Sequence, residues 1–219
     1  MELVYRSVVR RTSARMDTSR AEEWSYLVRD LDIDGVATLE GRLTGFGAGA
    51  SMDGTPVPEE HMGAWQADEQ ERLASPVTLR LGLDGHLVAC SVTTFSDSLP
   101  HRMLGLRIPP VRILPHDEWP IPGLANPFAD LLPPEMEVDV ACTARLVELH
   151  HHDARIAAEI ETTGALRVRG GPAVHLSGMA SWDAERGVLA HRELQARLTP
   201  STPDPLQNPG ILNIELHLV

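Results

Sequence analysis

The chain has 219 residues, of which 42% are hydrophobic and 23% charged, so it fits one domain, or two small ones, with a sizeable core, and the composition argues against global disorder. Its formal net charge is −12, and Arg supplies every fixed cation because the sequence contains no Lys. That acidic balance argues against a nucleic-acid backbone or an anionic membrane as partner, and no run reaches transmembrane length.

Alternation with period two begins at once. In "MELVYRSVV" Leu3, Tyr5, Ser7 and Val9 share one face of a strand, and Val4, Arg6, Val8 and Arg10 share the other. Arg6, Arg10, Arg11, Arg15 and Arg20 crowd this strand and the turn after it, a pattern read as a solvated edge rather than a polyanion site. No signal segment precedes the strand, so the chain as given is expected to be cytoplasmic, or exported if a leader has been removed. Next comes a hairpin: Trp24, Tyr26 and Val28 lead in, Asp32–Gly35 turn, and Ala37, Leu39 and Leu43 return. A second hairpin turns at Asp84-Gly85, with Leu79, Leu81 and Leu83 on one arm. Either Leu87, Ala89 and Ser91 or their alternates Val88, Cys90 and Val92 face inward on the other.

Between these hairpins, "GFGAGAS" invites a phosphate-loop reading, but it lacks the Gly-Lys-Ser/Thr and the immediate helix that such a loop needs. A loop or strand connector is expected there. Residues 59–73, with Met62, Trp65, Glu69 and Leu73 near helical spacing, form the only helix the sequence predicts. Residues 98–134 hold nine prolines and many apolar side chains. They predict an extended segment packed over the body, with a short edge strand at Val111–Leu114.

The first pattern then recurs. Val140, Cys142, Ala144 and Leu146 lead to a polar tip at His150-His151-His152-Asp153, and Ile156, Ala158 and Ile160 return. A further hairpin turns at Asp183–Gly187, and the closing strand "ILNIELHLV" alternates Leu212, Ile214, Leu216 and Leu218 with polar residues. Val28, Asp30 and Leu31 pair in pattern with Leu146, Glu148 and Leu149. With one residue inserted, Ala37 and Leu39 pair with Ile156 and Ala158.

The expected architecture is therefore mostly β: one long antiparallel meander of two similar halves, curled into a half-barrel or barrel-like clam with one short helix. Residues 1–219 form a single domain, divided into a first half-repeat (1–97), a Pro-rich packed connector (98–134), a second half-repeat (135–199), and a linker with the C-terminal strand (200–219). That last strand is expected to seal an edge against the N-terminal one.

The "D-x-D-G-V-A" turn at Asp32–Ala37, "L-P-x-x-E-W" at Leu114–Trp119 and "SWDAERGVL" at Ser181–Leu189 carry a resemblance. The chain resembles the β-rich domain of uncharacterised bacterial lipoproteins and, more distantly, half-barrel lipoprotein-carrier and lipoprotein-sorting folds. The resemblance implies an apolar cavity between sheet and cover that binds a lipid or hydrophobic ligand. It departs from those relatives in showing neither signal nor lipidated Cys.

Searches for reactive groups yield little. Successive residues of a strand face opposite ways, so three adjacent imidazoles cannot all chelate one ion from regular strand geometry. His150, His152 and Asp153 are thus candidates for adventitious metal only. His116, Asp117 and Glu118 beside Trp119 read as a surface turn ahead of an anchoring Trp. Cys90 and Cys142 could pair as a disulfide but read better as two buried free thiols, and no nucleophile–base signature is present. No cofactor is expected. Trp24, Trp65, Trp119, Trp182, Met62 and Met103 either line a ligand cavity or pack the core. The leading expectation is a non-enzymatic module for a hydrophobic or lipid-like ligand. The alternatives are a structural or protein-interaction module acting through sheet edges, and a metal-dependent enzyme using the His clusters.

Overall fold

The computed structural model describes residues 2–13, 15–92, 95–121, 138–152, 155–168, 173–199 and 210–219. Among them the first-half strands are β1 (Glu2–Thr12), β2 (Met16–Leu31), β3 (Ala37–Met52), β4 (Thr55–Pro56), β5 (Val77–Leu81) and β6 (Leu87–Cys90). Those of the second half are β7 (Glu118–Pro120), β8 (Val138–His152), β9 (Arg155–Val168), β10 (Ala173–Asp183), β11 (Val188–Thr199) and β12 (Ile211–Leu218). Two helices, α1 (Glu59–Leu73) and α2 (Phe95–Arg102), complete the elements. All strands belong to one open antiparallel sheet in the order β6-β5-β3-β2-β1-β12-β11-β10-β9-β8-β7, with β4 attached to β3. This is the mostly-β, half-barrel-like meander that alternation predicts.

Period two decides which face is covered. Leu3, Tyr5 and Val9 of β1, Trp24 and Tyr26 of β2, and Leu212, Ile214 and Leu216 of β12 are all buried. Their even-spaced neighbours Arg6, Arg10 and His217 are exposed. One continuous apolar cluster runs along the inner face from Leu79 of β5 to Cys142, Ala144 and Leu146 of β8. Cys142 is buried, Cys90 is half-buried, and both thiols are free.

Strand β12 pairs with β1 over Tyr5–Thr12, but the seam lies at the centre of the sheet and not at an edge. Both strands bury one mostly apolar face, interrupted in β1 by Ser7, and each finds a neighbour on both sides. The edges fall instead to β6 and β7, which are four and three residues long. Among the described residues β7 pairs only with Thr143–Arg145 of β8, and β5 meets only Ala37–Gly41 of β3, so both long strands extend beyond their short edge partners.

Local irregularities follow from the residues. Asp32 Oδ1 accepts hydrogen bonds from the backbone N–H of Asp34 and Val36, while Gly35 takes φ +77° to close the turn. A register shift at Arg80/Leu81 pairs Leu79 with Cys90 and Leu81 with Leu87. The shift turns both Leu87 and Cys90 toward the core, an arrangement strict alternation does not produce.

Four expectations need correction. "GFGAGAS", expected as a loop or connector, runs inside β3, where Gly45–Ser51 pair with Asp17–Glu23 of β2. A second helix, α2, stands where none is predicted, with Pro100 inside it. The ring removes one N–H from an eight-residue helix, which is held by tertiary contacts rather than by propensity. Val111–Leu114 is not a strand: Pro110 and Pro115 bracket it, and the ladder forms at Glu118–Pro120 instead, with Trp119 opposite Ala144. The histidine run is no turn either, because β8 stays paired through His152, opposite Arg155. Asp153 lies outside the described residues, as do residues 122–137 of the connector region. No described helix is long and apolar enough to cross a membrane.

Ile214, at the central seam, has no exposed surface. Ile214→Ala is expected to lower unfolding free energy by about 2–5 kcal/mol, read from urea denaturation.

Candidate functional site: the covered sheet face

Helix α2 and the segment that follows it lie across the inner face, and the polar groups beneath them are few and specific. Glu22 and Arg20 occupy inward positions of β2, two and four residues before Trp24. Glu22 Oε1 lies 2.5 Å from Arg20 Nε, and Trp24 Nε1 donates to Glu22 Oε2 at 2.7 Å. Arg20 also lies 3.4 Å from Asp97 of α2 and 3.9 Å from Glu69 of α1, while Arg72 of α1 pairs with Asp97 and Glu69. Three elements are thereby tied through alternating charge. Burial pushes the Glu22 carboxyl above its ordinary value, opposed by Arg20 and by the Trp24 hydrogen bond.

His101 joins α2 to the sheet. Its Nδ1 shares a 2.6 Å hydrogen bond with the Tyr26 hydroxyl, and its ring meets Trp24 edge-on with centroids 4.5 Å apart. The ring is fully buried and Nε2 has no partner. Burial, reinforced by the Arg20 charge, pushes the imidazole down to about 3, so it is neutral at physiological pH.

Arg192 of β11 clamps the next stretch. It is 1% exposed, and its Nη1 donates to the carbonyls of Met103 at 3.0 Å and Gly105 at 2.9 Å. Burial lowers its pKa to about 10, which leaves it a cation held by carbonyl dipoles. Farther along, Ile108 N donates to Asp84 O at 2.6 Å, Arg107 pairs with Asp84 at 3.1 Å, and Trp119 Nε1 donates to Arg107 O at 2.7 Å. The Asp84-Gly85 turn reaches the cover closely: a Cβ added at Gly85 would lie 2.4 Å from Leu106 O.

Of the six Trp and Met candidates, Trp24, Met103, Trp119 and Met62 are buried, and Trp182 packs half-buried against the same core. Trp65 is 40% exposed. It follows Met62 by three residues and so falls about 60° off the Met62–Leu73 line of α1. It lines a separate hollow of about 230 Å³ with Val9, Arg20, Glu69 and Arg72. His150 lies on the solvated side, Nε2 3.4 Å from Glu159 Oε1 and 3.9 Å from Glu148 Oε2. Among the described residues no group of three or more His, Cys, Asp or Glu is placed to hold a metal ion. His116, Asp117 and Glu118 are exposed, ahead of buried Trp119.

Sequence reasoning misses Glu22, His101 and Arg192 and reads Arg20 as part of a solvated edge, whereas Arg20 faces inward on an interior strand, 14% exposed and tied to Glu22. The signal for three of them is parity: Glu22 and Arg20 share the face of Trp24, and Arg192 shares that of Leu194 and Ala196. His101 gives none, because its helix is not predicted.

Two outcomes test this arrangement. The unfolded imidazole binds its proton near pH 6.5 and the folded one only near 3, so unfolding free energy falls as pH drops below about 6.5, by up to about 1.4 kcal/mol per pH unit. His101→Phe, which cannot titrate, is expected to flatten that slope in urea denaturation between about pH 6.5 and 4. Arg192→Met leaves the Met103 and Gly105 carbonyls unpaired and is expected to cost about 1–3 kcal/mol for each. Hydrogen exchange is expected to quicken in residues 98–108 before the rest of the sheet.

The fold has a counterpart among solved structures. Lipovitellin, in a structure of its lipid–protein interactions, superposes with a TM-score of 0.63 at 10% identity, over 100% of this chain and 25% of that one. The chain thus spans about a quarter of the lipovitellin chain. DynF from the dynemicin biosynthesis pathway of Micromonospora chersina aligns over 99% of this chain and 78% of its own, at 8% identity and a TM-score of 0.22. No family model matches, and no curated protein matches in sequence. The likeness to lipovitellin is one of fold.

Proposed function

We propose that the protein is a non-enzymatic binding module that holds a hydrophobic or lipid-like molecule between the inner face of the sheet and its cover. The observation that carries this reading is the mismatch between that face and what lies on it. The face carries one continuous apolar cluster, interrupted by a few buried polar side chains such as Glu22 and Arg192, on a single antiparallel sheet. Its cover, residues 103–121, is mostly irregular and fixed through a few discrete polar ties. Each tie contributes about 1 kcal/mol, whereas burying one CH₂ contributes about 0.8 kcal/mol. A chain of about ten carbons therefore offsets the loss of several ties.

In this reading Trp24, Met103, Trp119 and Trp182 contact the ligand once the cover lifts, and Met62 and Trp65 flank the α1 end. Glu22 and His101 serve to seat α2 on β2 rather than to move protons. The shared fold with lipovitellin, a protein studied for its lipid–protein interactions, supports the same class of ligand.

Native mass spectrometry of gently purified protein is expected to show co-purifying lipid. After delipidation, a medium-chain fatty acid is expected to quench tryptophan fluorescence, and Arg192→Met is expected to change the apparent affinity. A clean apo mass together with unchanged fluorescence would overturn the proposal.

A further inference from the structure

On the opposite, solvated face, His191 of β11 and His217 of β12 stand directly across the ladder from each other. Their Nδ1 atoms are 3.0 Å apart, and the rings stack with centroids 4.3 Å apart and planes inclined by 29°. Two nitrogens at that separation share either a proton or a cation. We infer that this cross-strand pair is a binding site for a divalent transition-metal ion of the Cu²⁺, Ni²⁺ or Zn²⁺ class.

The geometry fits the bite of such an ion. With metal–nitrogen bonds of about 2.0–2.1 Å, two ligands lie about 2.9 Å apart in a square-planar set and about 3.3 Å apart in a tetrahedral one. Both rings are accessible, and the broad χ2 wells of His let them turn until the lone pairs converge. Glu215, two residues before His217 on the same face, has Oε2 3.7 Å from His217 Nε2, and its Oε1 is held by Arg10 at 2.6 Å. A carboxylate there favours the proton on Nε2 and frees Nδ1, the orienting role that carboxylates play behind metal-bound imidazoles. Binding then displaces the proton shared by the two Nδ1 atoms, and water completes the shell from the open side.

The neighbouring strands place Arg6 of β1 opposite His217 and Ser181 of β10 opposite His191. One strand beyond Ser181 stands Glu159, which holds His150. His150 is thus removed from the pair. The pair depends on register, since 26 residues separate its members in sequence.

The test is calorimetric titration of tag-free full-length protein with Ni²⁺ and Cu²⁺ near neutral pH. The expected result is about one ion per chain, with affinity lowered at least about tenfold by His191→Ala, His217→Ala or the bulkier His217→Gln, and about tenfold by Glu215→Gln. His150→Ala is expected to leave it unchanged, and the Cu²⁺ electron paramagnetic resonance spectrum to lose one nitrogen donor in either single variant. All these side chains are solvated, and thermal unfolding verifies that each variant is folded. Binding that survives both His191→Ala and His217→Ala, or that disappears in His150→Ala, would overturn the assignment.

Discussion

The seam between β1 and β12 carries the architecture. It joins residues Tyr5–Thr12 to Ile211–Leu218, nearly the full length of the chain apart, and the two half-sheets meet only there. Every other ladder along the sheet lies within one half, between strands close in sequence. The inner face becomes continuous only when this most distant pairing forms. The loop-closure entropy of that pairing is offset by buried apolar rows such as Val9 with Ile214.

Once the sheet exists, its apolar face does not by itself specify where the cover rests. Apolar contact is nondirectional, and many placements of an irregular segment bury similar area. The buried polar groups supply direction. Arg20, Glu22 and Asp97 must neutralise one another across β2 and α2, the imidazole of His101 must reach Tyr26, and Arg192 must reach two consecutive-turn carbonyls. Misplacement by one residue would strand a charge or a carbonyl in the core.

Legibility in the sequence follows the same division. Alternation marks the strands because one face of each is buried, and the Asp-Gly turns mark the tips because only Gly takes positive φ freely. Helix α2 is illegible: Ser96, Asp97, Ser98 and Pro100 have poor helix propensity, and contacts distant in sequence hold it. Buried Glu22 and Arg192 look like solvated positions until the parity of their neighbours is counted. The likeness of the halves is legible in pattern but not in register. Both hairpins shift register at Val28/Asp30 and at Leu146/Glu148, yet Val28 faces Leu39 whereas Leu146 faces Ile160, so the second hairpin is three residues longer beyond these pairs instead of one, and the excess lies in its paired arms. The pair His191 and His217 is invisible in sequence, because only the register of β11 on β12 brings the two together.

The central seam also sets the connectivity of the whole chain. Tyr5 faces Leu218, and Val219 N bonds to Val4 O, so Glu2 and Val219 lie at one end of neighbouring strands. Joining them by a short linker and opening the chain in the connector before β7 would make strand order in sequence equal strand order in space, with only the small β4 aside. The same sheet would then be a pure up-and-down meander, assembled from hairpin to hairpin without its one long-range closure. In that sense the strand order is a circular permutation of a simpler up-and-down topology, offset at the central seam.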